Sequence, residues 1–387
     1  MNPYEKVVAS QIPCSSASQA LPTVLQSSYK KANQSAVKSM GRKARIGFTS
    51  DFLDKEGKFV LPGPGVKLLE EMSDVEREVF SEFLPEVTPE QIKGFDMVIS
   101  RTFPRWTERS FIENDRLLSI HRNGVGYDRI DVPALTNAGV MLCITPAAVR
   151  RPVAVAIITF ILALSTRLLI KHQLTSEGRW SEVTKYHGYG LIGKTLGSIG
   201  VGNIGHEMFM LARPFGMKHI AYDPYITQEA VADVEVKLVD MDTVLIESDF
   251  LSISCPLNEN TRRLIGEKEL RKMKKTAFLI NTARGPIVDE AALIKALQEG
   301  WVRGAGIDVF EQEPTPSDNP LLKLDNVIVT AHAMVFTEEF LTSVLEIIVK
   351  QISQIMHGEV PEGLVNREVW DKPEFQTKLE RFQEAIN

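Results

Sequence analysis

Gly200-Val-Gly-Asn-Ile-Gly205 fits G-x-G-x-x-G, and eighteen residues beyond Gly205 stands Asp223. Alone, such a hexamer recurs by chance in glycine-rich loops; here an apolar run, Thr195–Gly200, leads into it and a helical pattern, Gly205–Phe215, leads out. In that setting Gly200 permits a tight turn, Gly202 lets backbone approach a pyrophosphate and Gly205 allows strand and helix to pack closely. Asn203 and Ile204 open a helix whose N-terminus faces phosphate charge. An acid at Asp223, ending the next strand, would accept from both ribose hydroxyls and repel a 2′-phosphate. No arginine adjoins Pro224-Tyr225, so the expected cofactor is NAD rather than NADP.

Three more reactive side chains follow strand-like runs: Arg284 in Asn281-Thr-Ala-Arg-Gly-Pro-Ile-Val-Asp289, Glu313 in Gly306-Ile-Asp-Val-Phe-Glu-Gln-Glu-Pro314, and His332 in Thr330-Ala-His332. Hydride transfer between a 2-hydroxy acid and a 2-keto acid needs a cation for the carboxylate, an acid/base at the carbonyl oxygen and a group that tunes it. Each residue also has an ordinary explanation: a surface ion pair, a turn cap before Pro314, a hydrogen-bonded histidine. Their joint occurrence at strand ends after the glycine motif singles them out.

The elements that must position these residues are α/β. Strands are expected at Ala44–Ser50, Phe95–Ser100 and Leu117–His121, and after Trp180 at Thr195–Gly200, His219–Asp223, Asp249–Ser254, Ala277–Asn281, Gly304–Asp308 and Val327–Thr330. Helical segments or loops separate them, which implies parallel sheets covered by helices and two α/β bodies with a cleft between them. Gly57 to Gly65, with two prolines and three glycines, reads as a loop, and a helical pattern starts at Val66. One long helix is expected from Ala147 to His172, with Pro152 in its first turns.

Composition bounds the rest. In 387 residues, 44 basic and 50 acidic side chains leave a net charge of −6, which argues against a nucleic-acid or anionic-membrane partner. Cys14, Cys143 and Cys255 are too few and scattered for a disulfide framework or zinc cluster; no metal is expected, and a reducing cytoplasm is the default location. The apolar run Val153–Leu164 covers twelve residues, short of the roughly 20 that span a bilayer, so no membrane partner is expected either. Residues 1–43, with eight serines, six Lys/Arg and the single acid Glu5, read as a disordered extension, an organellar presequence being the alternative. In the tail 367–387, Phe375, Leu379, Phe382 and Ile386 recur at helical spacing, as a helix docked on the body, on a second subunit, or only weakly packed.

Together these motifs resemble the NAD-dependent D-isomer-specific 2-hydroxyacid dehydrogenase family over residues 95–345. Besides the segments above, Gly124-Val-Gly-Tyr-Asp-Arg-Ile-Asp131 is similar to its substrate loop and Cys255-Pro-Leu-Asn-Glu-Asn-Thr261 to the loop under its cofactor. The resemblance implies two Rossmann-like domains: a parallel-sheet NAD-binding domain at 146–332 and a discontinuous flavodoxin-like substrate domain at 44–145 and 333–366. It implies that Arg284 holds the substrate carboxylate, that His332 is the acid/base, and that Glu313 orients the imidazole and keeps an acid available near neutral pH. Val125 and Gly126 would offer backbone amides to the carboxylate. Cys255, Pro256, Thr261, Thr282 and Ala283 would line the cofactor, and Asp308 would approach its nicotinamide amide. A small anionic 2-keto or 2-hydroxy acid and a homodimer are the implied partners.

The chain departs from the family pattern in places. Ala331 stands where a proline is usual, Ala333-Met-Val-Phe336 promises a bulkier, apolar wall beside the substrate, and Ala154-Val155 replaces a customary Ala-Glu. Arg101, Arg105, Arg122, Arg150 and Arg151 cluster in segments expected to face the cleft and offer a second anion site, Arg122 foremost. An NADH-sensing, co-repressor-like binding protein is the alternative to an enzyme.

Overall fold

In the computed structural model, which describes residues 41–60 and 64–387, the chain forms two parallel sheets. The extension read at 1–43 lies outside the described residues as far as residue 40, as do residues 61–63 of the glycine-proline loop. The first body contains β1 (Ala44–Phe48), α1 (Pro64–Glu71), β2 (Val75–Val79), α2 (Pro89–Ile92), β3 (Met97–Ser100), β4 (Ser119–Arg122), α3 (Val132–Asn137) and β5 (Met141–Cys143). Its strand order is β2-β1-β3-β4-β5, the flavodoxin-like arrangement.

A long helix, α4 (Pro146–Thr166), and α5 (Leu168–Ser176) lead into the second body. There follow β6 (Thr195–Ile199), α6 (Asn203–Ala212), β7 (Lys218–Tyr222), β8 (Lys237–Leu238), α7 (Met241–Glu247), β9 (Phe250–Ile253), α8 (Glu267–Lys272), β10 (Phe278–Asn281), α9 (Glu290–Gln298), β11 (Gly304–Ile307) and β12 (Val327–Val329). The sheet order is β12-β11-β10-β9-β6-β7-β8, a doubly wound sheet. In both sheets the central strands are buried throughout, as strands covered on two faces must be. Ligands in such sheets sit beyond the carboxyl ends of the strands where the order reverses: between β1 and β3, and between β6 and β9. Gly200 follows β6 directly and Cys255 lies just past β9.

The chain then returns to the first body through α10 (Glu338–Met356) and α11 (Pro373–Ile386). Phe340, Val344 and Ile348 of α10 and Phe375, Leu379 and Phe382 of α11 are buried in the core that holds Ile46, Phe48 and Met97. The segment 367–387 is thus docked on its own chain; Lys372 Nζ takes the Thr136 carbonyl in the last turn of α3 at 2.6 Å, and Lys378 reaches the carbonyls of Leu117 and Gly139 at 3.1 and 3.0 Å.

The expected single helix is two. Arg167 adopts a left-handed conformation (φ 56°), and the hydroxyls of Ser165 and Thr166 both bond Leu162 O, at 3.1 and 2.6 Å, competing with the helical ladder. Tyr189 N–H then takes the freed Ser165 carbonyl at 2.7 Å. Pro152 is seventh in α4, in its second turn, where the missing N–H falls within the helical ladder. At 21 residues α4 is long and apolar enough to cross a bilayer, which the twelve-residue run understates; its Ala154, Ile157, Phe160 and Ile161 are buried in the second body's core.

Arg42, assigned by sequence to the extension, is bound to the first body. The Asp96 carboxylate, 1% exposed, accepts from Arg42 Nη1 and Nη2 (both 2.7 Å), Arg116 Nε and Nη2 (2.9 and 3.1 Å) and Arg45 N (2.8 Å). Burial pushes this carboxyl up; the bonds to Arg42 and Arg116 outweigh it and hold it below the usual range. Such a group stabilises the fold above its unfolded pKa of ~3.9 and loses that contribution as pH falls through the lower, folded value. Asp96→Asn should therefore cost ~1–3 kcal/mol in urea unfolding near neutral pH, with the gap to wild type closing as pH falls through the lowered, folded value. A gap that persists undiminished in acid would mean that the charge is not its source.

Candidate active site

The glycine loop has the shape its sequence implies. Gly200 has φ 90°, and a Cβ there would stand 2.9 Å from Cys255 N; at Gly205 a Cβ would stand 2.8 Å from Gly200 O. At Gly202, which caps α6, a Cβ would meet nothing within 4 Å, leaving open space over the first turn, where Asn203 and Ile204 stand. The N–H groups of a first helical turn lack partners within the helix, and this mouth suits a pyrophosphate. Asp223, just past β7, braces the loop: its carboxylate accepts from Val201 N at 2.9 Å and Tyr225 N at 3.0 Å. Across the switch point, Thr261 Oγ1 donates to Pro256 O at 2.6 Å and closes the loop after Cys255, whose thiol burial pushes up to about 11. Thr282 and Ala283 are half-buried past β10, Ala283 N–H bonding Asn281 Oδ1 at 3.1 Å.

Arg284, Glu313 and His332 converge on one cleft, lined also by Arg101, Arg122, Gly126 and Asp128. His332 Nδ1 is 2.9 Å from Glu313 Oε2, which makes Nδ1 the donor and directs the lone pair or proton of Nε2 elsewhere. Phe310 N–H donates to the other Glu313 oxygen at 3.0 Å. Burial raises the Glu313 carboxyl, but the bond to His332, its charge, the Phe310 amide and Arg284 bring it below its ordinary value, so this partner stays ionised. The backbone of His332 is left-handed (φ 53°). Asp308 secures it twice: its carbonyl accepts from His332 N at 2.7 Å and its Oδ1 from Ala333 N at 3.0 Å, with Thr330 Oγ1 bonded to the same oxygen.

From the first body comes the loop 123–128. Val125 and Gly126 are half-buried, and among the described residues no acceptor bonds their backbone N–H groups. Gly126 lies against the Arg284 guanidinium, where an added Cβ would fall inside it. Arg284 Nε donates to Asp128 Oδ1 at 2.7 Å and Nη1 to Ala283 O at 2.7 Å.

The arginines expected to read a second anion divide. Arg150 and Arg151 both pair with Glu207, at 3.4 and 2.6 Å, fastening α4 to α6, and Arg105 does not line the cleft. Arg122 is buried and spends its donors on backbone: Nε to Gly126 O at 2.8 Å, Nη1 to Asn123 O at 2.9 Å. It supports the loop from behind, and burial, followed by the Arg284 charge, pushes it down to about 10. Arg101 reaches Asp51 O at 2.6 Å and lies 6.0 Å from the Phe336 ring. None of the residues expected to form an apolar wall lines the cleft: Met334 packs on the second body's core, Val335 on the first body's, and Phe336 against Phe340. Sequence reasoning missed Asp128, two residues past Gly126 in the glycine loop: nothing in the sequence sets it against Arg284, 156 residues away.

Residues 158–333 match the family described as D-isomer specific 2-hydroxyacid dehydrogenase, NAD binding domain. The chain is 36% identical over 317 residues to a glyoxylate reductase of Korarchaeum cryptofilum, covering 80% of this chain and 94% of that one. It is 39% identical over 302 residues to a D-3-phosphoglycerate dehydrogenase of Methanocaldococcus jannaschii, covering 78% and 57%. Among solved structures, D-lactate dehydrogenase from Aquifex aeolicus, complexed with NAD and lactic acid, superposes with a TM-score of 0.73 at 28% identity, over 83% of this chain and 99% of that one.

The contact at Gly126 yields a sharp expectation. A methyl group there meets the far end of a flexible side chain, so Arg284 must move while the fold need not. Gly126→Ala should cut turnover of a carboxylate substrate on the order of 10²-fold with the melting temperature little changed. Unaltered turnover would mean that the guanidinium position is not critical.

Proposed function

The chain belongs to the D-isomer-specific 2-hydroxyacid dehydrogenase family, NAD-dependent oxidoreductases acting on CH–OH donors, and from that premise we propose that it interconverts a 2-keto acid and a D-2-hydroxy acid with Arg284, Glu313 and His332 as its working groups. The observation that carries this reading is the convergence of the His332–Glu313 pair and Arg284 on one cleft. The open position over Gly202 and the unobstructed first turn of α6 fit NAD, which when bound supplies or accepts the hydride.

The chain's own groups account for the remainder. Arg284, with three N–H donors left after Asp128 and Ala283, grips the substrate carboxylate, and the amides of Val125 and Gly126 take its second oxygen. In the reducing direction His332 Nε2 gives a proton to the carbonyl oxygen, which becomes the hydroxyl of the product; in oxidation Nε2 takes it back. Glu313, ionised and anchored by Phe310 N–H, holds the ring in one tautomer and offsets the charge the imidazole carries between these events.

A surplus of positive charge supports a substrate bearing a second acidic group. Arg101, Arg122 and Arg129 line the cleft, each bonded to backbone carbonyls, with no carboxylate in ion-pair range among the described residues. A phosphorylated or dicarboxylic keto acid would meet that charge, in keeping with the name of the Methanocaldococcus relative. Self-association is also part of the proposal, supported by exposed Val155, Leu168, Leu169 and Trp180 on α4, α5 and the turn beyond.

The test is NADH oxidation against glyoxylate, hydroxypyruvate, phosphohydroxypyruvate, pyruvate and oxaloacetate. Turnover is expected, fastest with a doubly anionic member, and His332→Ala should lower kcat by ~10²–10⁴ while leaving NADH affinity nearly intact. Tight NADH binding without turnover of any keto acid would overturn the proposal.

A further inference from the structure

We infer that Asp128 is a positioning residue for this reaction: by pairing with Arg284 across the cleft it sets which edge of the guanidinium meets substrate and makes the grip depend on closure of the two bodies. This rests on the reading of Arg284 given above. Asp128 follows β4 in the first body and Arg284 follows β10 in the second, 156 residues apart, yet Oδ1 and Nε are 2.7 Å apart. Among the described residues this is the ion pair that joins loops of the two bodies at the site; Arg150 and Arg151, on the shared helix α4, pair with Glu207 of α6 instead.

The pair differs from an ordinary surface contact in its surroundings. Its side chains are 23% and 28% exposed, and Arg122, buried behind the loop, fastens Gly126 through its carbonyl. Gly126 in turn leaves just enough room for the Arg284 guanidinium. Burial disfavours the ionised Asp128; Arg284, and with it Arg122, more than restores it and holds the carboxyl below its ordinary value. Of the five guanidinium N–H groups, Nε–H is committed to Asp128 and one Nη1–H to Ala283 O, so the substrate is met by the remaining Nη donors. Without Asp128 the guanidinium can swing and present Nε, and an open cleft separates Arg284 from the Val125 and Gly126 amides that complete the carboxylate site. An error of about 1 Å at such a group can cost 10²-fold.

The experiment uses the full chain with NADH and the best keto acid, comparing wild type, D128N, D128A and D128E. D128N keeps size and an acceptor but loses the charge. It should raise KM for the keto acid by about tenfold or more with a smaller fall in kcat, leave the Kd for NADH and the melting temperature unchanged, and weaken binding of oxamate, a carboxylate analogue that is not reduced, in parallel with KM. D128A should be worse than D128N, and D128E should recover part of the loss. In a double-mutant cycle with R284K, the D128N effect should largely vanish, since Asp128 acts through the guanidinium. Equal losses in keto-acid and NADH binding, an additive cycle, or a D128N variant indistinguishable from wild type would each overturn the inference. If wild type itself turns over no keto acid, it is the functional reading that fails; a failure confined to the Asp128 variants leaves that reading standing.

Discussion

The geometry of the cleft depends on one helix shared by two cores. The first turns of α4 bury Ala148 and Val149 among the residues around β1 and β3, while Ala154, Ile157, Phe160 and Ile161 are buried with β6, β9 and β10. Each of the larger side chains carries roughly 2–5 kcal/mol of packing, so neither sheet separates from the helix cheaply. Gly306 shows how tight the fit is: a Cβ there would lie 2.7 Å from the Phe160 ring. The change from one core to the other falls within α4, where Val153 packs against both, and the loops facing each other across the cleft are held by fewer contacts than the helix that joins them.

Across that cleft, charges are arranged in unequal partnerships. Glu313 with His332 lies within the second body, and Asp128 with Arg284 spans the two. Arg122 belongs to neither. Burying a guanidinium without a carboxylate is expensive, and backbone carbonyls from Asn123 and Gly126 offset only part of the lost hydration. What the molecule gains is a rigid loop whose outer face carries the amides at 125 and 126 and whose charge adds to that of Arg101 nearby. Structural support and anion attraction are here the same charge, acting through its bonds on one side and its field on the other.

The parts of this arrangement that could be read from sequence are those set by local spacing. Strand-end positions exposed Arg284, Glu313 and His332, and the glycine hexamer between an apolar run and a helix exposed the dinucleotide turn. Strand β2, Val-Glu-Arg-Glu-Val, escaped because an edge strand with three charged, outward residues has no apolar signature. Strands β5 and β8, three and two residues long, fall below the length at which alternation is informative. The break at Arg167 depends on two hydroxyls turning back onto Leu162, and no periodicity records it. Asp128 was hidden for a different reason: its partner is 156 residues away, and an acid in a glycine loop looks like any turn residue until the second body is set against the first. Arg122 was legible as a cleft cation but not as one whose donors face inward.

Asp308 shows how one carboxylate can serve both backbone and site. His332 sits in a left-handed conformation that costs a non-glycine residue on the order of 1–3 kcal/mol. Two bonds offset that cost, from His332 N to the Asp308 carbonyl and from Ala333 N to Oδ1, and Thr330 adds a third on the same oxygen. All side-chain bonds fall on Oδ1, which leaves Oδ2 for whatever occupies the space beyond β11. The usual proline before the histidine is absent, and the turn is stiffened by hydrogen bonds to Asp308 where a ring would otherwise restrict it. The same buried acid therefore ties the histidine's backbone, and through it the direction of the imidazole between Glu313 and the cleft, to the strand end over which a dinucleotide would lie.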